Sequence, residues 1–352
     1  MEEIRRKQLT KKETQKRLMK RLQASQPTGA ILFISIIVLL ISMVISLGLG
    51  SVQISWRTIL EGLTAFEETN THHLILYDLR IPRVVGAALV GAFLSVSGVI
   101  MQALTLNPLA SPSIMGVTSG SAFMIAIAFA FFPLSNHYQL ILWSFLGAGL
   151  GAGLVFFIGS FTKRGLTPVK LALAGAAVST LLQSLSTMIA LHFNVARDTS
   201  FWLAGGVAGV RMESVLVALL FAGLALIVAF ALSRSLTILS LGEEMAKGLG
   251  LKVTVIKWIA LLVVLILTGT AVSIAGAVGF VGLVIPHITK KIMGLDYRWV
   301  IPGSIVFGAL LMVWADTLAR IINPPYETPV GALTALLGVP FFLVLARKEG
   351  RG

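Results

Sequence analysis

The sequence predicts an all-α polytopic membrane protein of about ten transmembrane helices, and three observations carry that expectation. Apolar residues fill 56% of the 352 positions and charged residues only 12%, against about 45–50% and about 25% in soluble domains. Polar surface would run out before a soluble fold of this length hid that much hydrocarbon, so the surplus must face lipid. The apolar residues also fall into runs of about 20, the length that crosses a core about 30 Å thick at about 1.5 Å per residue. Charges gather at the ends of those runs. Between Arg83 and Lys163 there is no Lys, Arg, Asp or Glu.

Residues 1–29 read as a basic cytoplasmic arm. The first uncharged run, 30–49, is too long for a secretory h-region and lacks an A-x-A-like cleavage site, so it reads as a retained helix. Further spans are expected at 84–104, 114–133, 139–161, 171–191, 214–232, 257–275, 277–291, 301–321 and 331–346. Asn107-Pro108, Ser111-Pro112 and Pro133 with Ser135-Asn136 break the long uncharged stretch. The region around 259–289 is longer than one helix needs, and Gly276, Gly279 and Gly282 mark its break. Residues 30–346 therefore form one transmembrane domain, with a cytoplasmic loop at about 234–256 and a tail at 347–352.

Charge sets the expected orientation. With both ends cytoplasmic, 22 Lys and Arg residues lie inside and six outside: Arg57, Arg80, Arg83, Arg197, Arg211 and Arg320. The same distribution excludes nucleic acid as the reason for a pI near 10.3: the cations sit where lipid headgroups are. Arg80 and Arg83 flank Pro82 at the entry to the second span, where the chain is expected to be extended or turning. Gly147, Gly149, Gly151 and Gly153 make two overlapping G-x-x-x-G patterns, read as packing within the chain.

Several chemistries are missing. No G-x-x-x-x-G-K-[ST] motif occurs, so the chain does not bind ATP through a P-loop, and there is no H-E-x-x-H. There are no cysteines, which excludes disulfides and Cys-ligated metal. The histidines fall mostly in predicted loops without metal-site spacing; His72-His73 reads as part of a solvated outer loop ahead of a metal-binding pair, and no cofactor is expected. Ion-coupled carriers need an ionisable residue in the membrane core. Asp316 is the one acidic candidate, and Arg320 at i+4 suits it to a local ion pair instead.

Four segments resemble the FecCD family, the permeases of iron-siderophore, haem and cobalamin ABC importers. They are Leu79-Arg80-Ile81-Pro82-Arg83 with Ser97-Gly98-Val99-Ile100-Met101-Gln102; Asn107-Pro108-Leu109-Ala110-Ser111-Pro112; Leu241-Gly242-Glu243-Glu244-Met245-Ala246-Lys247-Gly248-Leu249-Gly250; and Gly276-Ala277-Val278-Gly279-Phe280 onward to Pro286-His287. Ala315-Asp316-Thr317, Pro329-Val330-Gly331 and Gly338-Val339-Pro340-Phe341 continue the pattern in order. Any one fragment is weak, but the ordered set is specific.

The resemblance implies a cobalamin-permease-like fold in the bacterial cytoplasmic membrane. It implies a second permease subunit, identical or paralogous, two cytoplasmic ATPases that supply the energy, and an extracytoplasmic binding (lipo)protein that delivers an iron(III)-siderophore. Cobalamin or haem is the alternative cargo, and a self-sufficient secondary transporter the alternative class. It further implies that Arg80, Arg83 and Arg320 receive carboxylates of the binding protein. Gly242, Glu243, Glu244, Ala246, Lys247, Gly248 and Gly250 belong to a helix that couples to the ATPase. Asn107, Pro108 and Leu109, with Thr167 in the 163–169 turn, flank the cytoplasmic gate.

Overall fold

The computed structural model describes residues 28–50, 54–160, 168–324 and 326–349. The described residues are all-helical. Ten helices form the bundle: α1 (Thr28–Gly48), α3 (Thr71–Thr105), α4 (Val117–Phe131), α5 (His137–Ser160), α6 (Pro168–His192), α8 (Met212–Leu239), α10 (Val253–Ala275), α11 (Val281–Met293), α12 (Tyr297–Ile321) and α13 (Val330–Glu349). Three short helices join them: α2 (Trp56–Thr64), α7 (Ala196–Leu203) and α9 (Glu243–Gly248).

Seven of these helices are long and apolar enough to cross a membrane, and α4 and α13 supply shorter apolar stretches. Two of the expected spans need correcting. The one at 114–133 begins at Val117, after a 3-10 turn over Pro112–Met115. The one at 277–291 is α11, whose 13 residues rise only about 20 Å and cannot cross alone. The break before it lies at the glycine cluster: Gly276 has φ +65° and Phe280 φ +66°. A left-handed phenylalanine is uncommon. Here its ring packs over Gly338 of α13, which has no Cβ to obstruct it. The loop expected at 234–256 is also shorter, because α8 runs on through Arg234 to Leu239.

α3 is the hub. Nearly every residue from Pro82 to Leu104 is buried, and α3 packs against α12, α10, α11 and α8. Its small residues make this possible, since glycine lets a neighbouring backbone approach to contact. α1 lies at the edge against α12, exposing Phe33, Ile34, Leu40 and Ile41 as a lipid-facing helix does. α4 packs on α5 and α6 in a second cluster, where Gly147 and Gly151 of α5 face Gly116 and Gly120. Gly147 and Gly151 thus pack within the chain, as read, whereas a Cβ on Gly149 or Gly153 would meet nothing within 4 Å.

The start of α3 departs from expectation. The Arg80-Ile81-Pro82-Arg83 segment is helical, not extended: a π-helical turn over Ile75–Arg80 feeds directly into the α-helix with Pro82 in its first turn. Proline lacks an N–H and clashes inside a regular helix. The wider turn just before it absorbs the change of register, as π-bulges do, and both arginines then project from one rigid helix.

Candidate functional site

Chemistry-bearing residues gather at the two ends of the bundle. At one end, Arg80 and Arg83 of α3 meet Arg320 of α12 and the last turn of α1. All three are less than 10% exposed, and Asp316 is 1% exposed. Arg83 donates from Nε and Nη2 to Asp316 Oδ1 at 3.0 and 2.9 Å. Its Nη1 donates to Glu327 Oε1 at 2.6 Å. Arg320 Nε lies 3.2 Å from Asp316 Oδ2, the i,i+4 pair its spacing predicted. One buried carboxylate therefore bridges two guanidiniums from different helices.

The remaining donors hold the end of α1. A helix leaves its last carbonyls unsatisfied, with partial negative charge on them. Arg80 Nη1 donates to Leu47 O, and Arg320 Nη1 donates to Leu49 O at 2.9 Å. Arg320 Nη2 also donates to Ser46 Oγ at 2.7 Å, which itself bonds Thr317 Oγ1. Two cations thus cap one helix and tie the peripheral α1 to α3 and α12. The arginines expected to meet a partner already serve the fold.

At the opposite end, α9 hangs between α8 and α10. Gly242 at φ +116° and Gly250 at φ +81° bracket it in backbone that only glycine adopts without strain. Ala246 is fully buried and pins the helix down. Glu243 accepts from Lys257 Nζ at 2.6 Å and from Lys247 at 3.1 Å. The Lys257 bond, with the Lys247 bond in support, holds its carboxyl below the ordinary value. Glu244, Lys247 and Gly248 are exposed, and a Cβ on Gly248 would meet nothing within 4 Å. Leu241, Met245 and Leu249 are 59%, 56% and 62% exposed. Met245 and Leu249 are one turn apart on α9, Leu241 precedes it across Gly242, and the described residues leave all three apolar side chains more than half exposed beside the charged ones.

Near this end, α3 stops at Leu106, whose φ is +52°. Asn107 Oδ1 then accepts from Leu109 N at 2.9 Å, an Asx turn. Asn107 is exposed and Pro108 and Leu109 half-buried. Thr167 lies outside the described residues. Behind the turn, Lys290 Nζ of α11 donates to Gln102 Oε1 at 2.9 Å. Along α6, an outward face carries Thr180, Gln183, Ser184 and Thr187, all exposed and none charged. A side-chain amide at mid-helix costs free energy against lipid, so this face is suited to a partner subunit or a hydrated path.

Residues 38–348 match the model of the FecCD transport family. The chain is 57% identical over 308 residues to the iron(3+)-hydroxamate import system permease protein FhuB of Bacillus subtilis (strain 168), covering 88% of this chain and 80% of that protein. It is 41% identical to the iron-uptake system permease protein FeuB of the same organism, covering 93% and 98%. Among solved structures, an inward-facing metal-chelate-type ABC transporter superposes with a TM-score of 0.80 at 32% identity, covering 91% of this chain and 99% of that one. The chain belongs to the FecCD transport family. PsaBC from Streptococcus pneumoniae, at TM-score 0.56 and 20% identity over 82% of this chain and 95% of that one, shares the fold alone.

Within this FecCD chain, two features escaped the sequence reading. Glu327 reaches Arg83 across 244 positions, and no local pattern announces such a contact. The exposure of Leu241, Met245 and Leu249 was hidden as well, because apolar residues four apart ordinarily signal a buried side. His73 also differs from its loop reading. It sits in the first turn of α3, 2% exposed, with Nδ1 accepting from Glu67 N at 3.2 Å.

Proposed function

We propose that this FecCD chain is the permease subunit of an ABC importer that carries iron(III)-siderophores through the bacterial cytoplasmic membrane. ATP is hydrolysed by separate cytoplasmic subunits, cargo arrives on an extracytoplasmic binding protein, and a second permease, identical or paralogous, completes the path. The observation that carries this reading is the division of the bundle: a cationic, carboxylate-receiving end lies opposite an exposed short helix with an uncovered apolar stripe. The first suits an acidic partner outside. The second suits an ATPase cleft inside. The uncharged face of α6 suits a wall of the path, and the Asn107–Leu109 turn, with Thr167, its cytoplasmic gate.

Iron-siderophore cargo is favoured because relatives of which this chain covers 80% and 98% are named for iron(3+)-hydroxamate import and iron uptake. A haemin transport permease of Yersinia pestis is more distant, at 36% identity. A proton-coupled carrier finds little support, since Asp316 is held by two guanidiniums. The test is transport by the permease reconstituted with its ATPase and binding protein, using radiolabelled ferric trihydroxamate, haemin and cyanocobalamin. ATP-dependent accumulation of the iron chelate alone is expected. Accumulation of haemin or cobalamin instead would reassign the cargo, and uptake without the ATPase would overturn the importer class.

Both termini are proposed to be cytoplasmic. Because the chain has no cysteine, single replacements report sidedness directly. Thr71→Cys should label only from outside and Lys247→Cys only from inside; labelling of both from one face would overturn the topology.

The α9 stripe gives a sharper expectation. Met245→Glu puts a charge in the proposed ATPase contact without touching the core, and should reduce co-purification of the ATPase at least tenfold. Gly248→Trp should act likewise, because open space surrounds Gly248 within the chain. Both variants should elute as folded permease. Normal uptake and normal ATPase recovery in both would remove α9 from the coupling site.

A further inference from the structure

The two carboxylates on Arg83 differ in a way that bears on how the arginine end meets its partner. Asp316 is buried, comes from α12, and is shared with Arg320. Its departure would leave Arg320 without a counter-charge and Arg83 with Glu327 alone in a dry setting, which is costly. Glu327 is different. Its side chain is 46% exposed, and it stands on the connection between α12 and α13. It takes the edge of the guanidinium that Asp316 leaves over, with Nη1 to Oε1 at 2.6 Å and Nη2 to Oε2 at 3.2 Å. That is the parallel two-point geometry by which arginine receives any carboxylate.

We propose that the Nη1 edge of Arg83 is a carboxylate-exchange position: Glu327 fills it in the free permease, and an acidic side chain of the extracytoplasmic binding protein replaces it on docking. The inference rests on the docking reading above and adds to it a residue that competes for the site. Exchange is close to balanced. One Arg–carboxylate pair breaks and an equivalent one forms, and the released Glu327 returns to water from a position already half in it. Among the described residues, Arg80, Arg83 and Arg320 stand against Asp316 and Glu327, so the cluster presents net positive charge that draws an anion in, and one-for-one exchange leaves that count unchanged.

The connection that carries Glu327 is anchored just after it. Thr328 N donates back to Ala319 O at 3.1 Å, and Val330, which opens α13, is buried. Withdrawal of Glu327 therefore frees a small segment around Tyr326, itself 73% exposed, without unseating either helix.

The experiment uses the assembled transporter in liposomes, the binding protein that co-purifies with it, and the variant Glu327→Gln. This substitution removes the competing charge at an exposed position and leaves Asp316 in place. Docking should tighten about three- to tenfold, mainly through faster association, and should weaken more steeply as salt rises. A spin label at Tyr326→Cys should gain mobility on docking when Glu327 is present, and should be mobile beforehand in Glu327→Gln. Arg80→Glu, measured alongside on protein whose thermal unfolding matches the parent's, reports on the docking reading itself and should weaken binding. Unchanged or weaker docking by Glu327→Gln, with Arg80→Glu still impaired, overturns exchange and leaves docking standing. Unchanged docking in both overturns the two together.

Discussion

Replacing Asp316 by alanine should cost the folded permease about 3–5 kcal/mol, the loss measured when one partner of a buried ion pair is deleted. The carboxylate is 1% exposed and bonds Arg83 and Arg320 at once. Without it two buried guanidiniums face each other, with Arg80 a third cation nearby. Asp316→Asn should fall short of rescue, because an amide keeps the shape but not the charge. The double variant Arg83→Leu with Asp316→Leu should recover part of the loss, since removing both charges removes the desolvation penalty. Thermal unfolding of the purified protein in detergent, with membrane abundance as a second readout, measures all three. A single Asp316→Ala variant as stable as the parent would mean that water reaches the cluster and that its ion pairs are dispensable.

This expectation changes how the arginines are to be tested. Reversing charge at both Arg80 and Arg83 is the natural probe of docking from sequence alone. In the structure, a glutamate at 83 would lie against Asp316, so loss of docking could not be told from loss of the fold. Glu327→Gln avoids that confusion, because it removes no partner of Asp316. Arg80→Glu spares Asp316 but loses the bond to Leu47 O, so its docking is compared only on folded, inserted protein.

The sequence made the architecture legible because hydrocarbon thickness imposes a length, and length is countable. Charge gave the loops, proline and glycine gave the breaks, and the i,i+4 rule gave Asp316 with Arg320. What stayed hidden was long-range. Arg83 meets Asp316 over 233 positions and Arg320 meets Leu49 over 271, and neither spacing follows any period. The register change before Pro82 was hidden for another reason. Proline signals a helix start and a helix break alike, and only the neighbouring turn decides between them. Burial of the arginines was unreadable as well, because polarity at the end of an apolar run looks the same whether the side chain faces headgroups or folds inward.

The second large effect should come from glycines whose roles the sequence could not separate. In α3, a Cβ on Gly98 would lie 1.8 Å from Gly282 O, and one on Gly91 would lie 2.1 Å from Gly308 O. Those contacts are backbone, so no side chain can move aside, and whole helices would have to separate. Gly98→Ala should therefore reduce membrane abundance severely despite alanine's higher helix propensity, worth about 1 kcal/mol per residue. The α5 run supplies the control within one helix. A Cβ at Gly147 would come within 2.3 Å of Gly120 O in α4 and one at Gly151 within 2.2 Å of Gly116 O just before it, whereas Gly149 and Gly153 meet nothing within 4 Å. Gly147→Ala and Gly151→Ala should destabilise, and Gly149→Ala and Gly153→Ala should leave the fold intact or slightly firmer. Valine at the same four positions should widen the contrast, because its branches need more room on the packed face and find it on the open one. If Gly149→Val or Gly153→Val kept normal abundance as a folded subunit but lost the second permease, that open face would be where the partner packs. If all four positions responded alike, close packing of α4 on α5 would not be what the glycines serve.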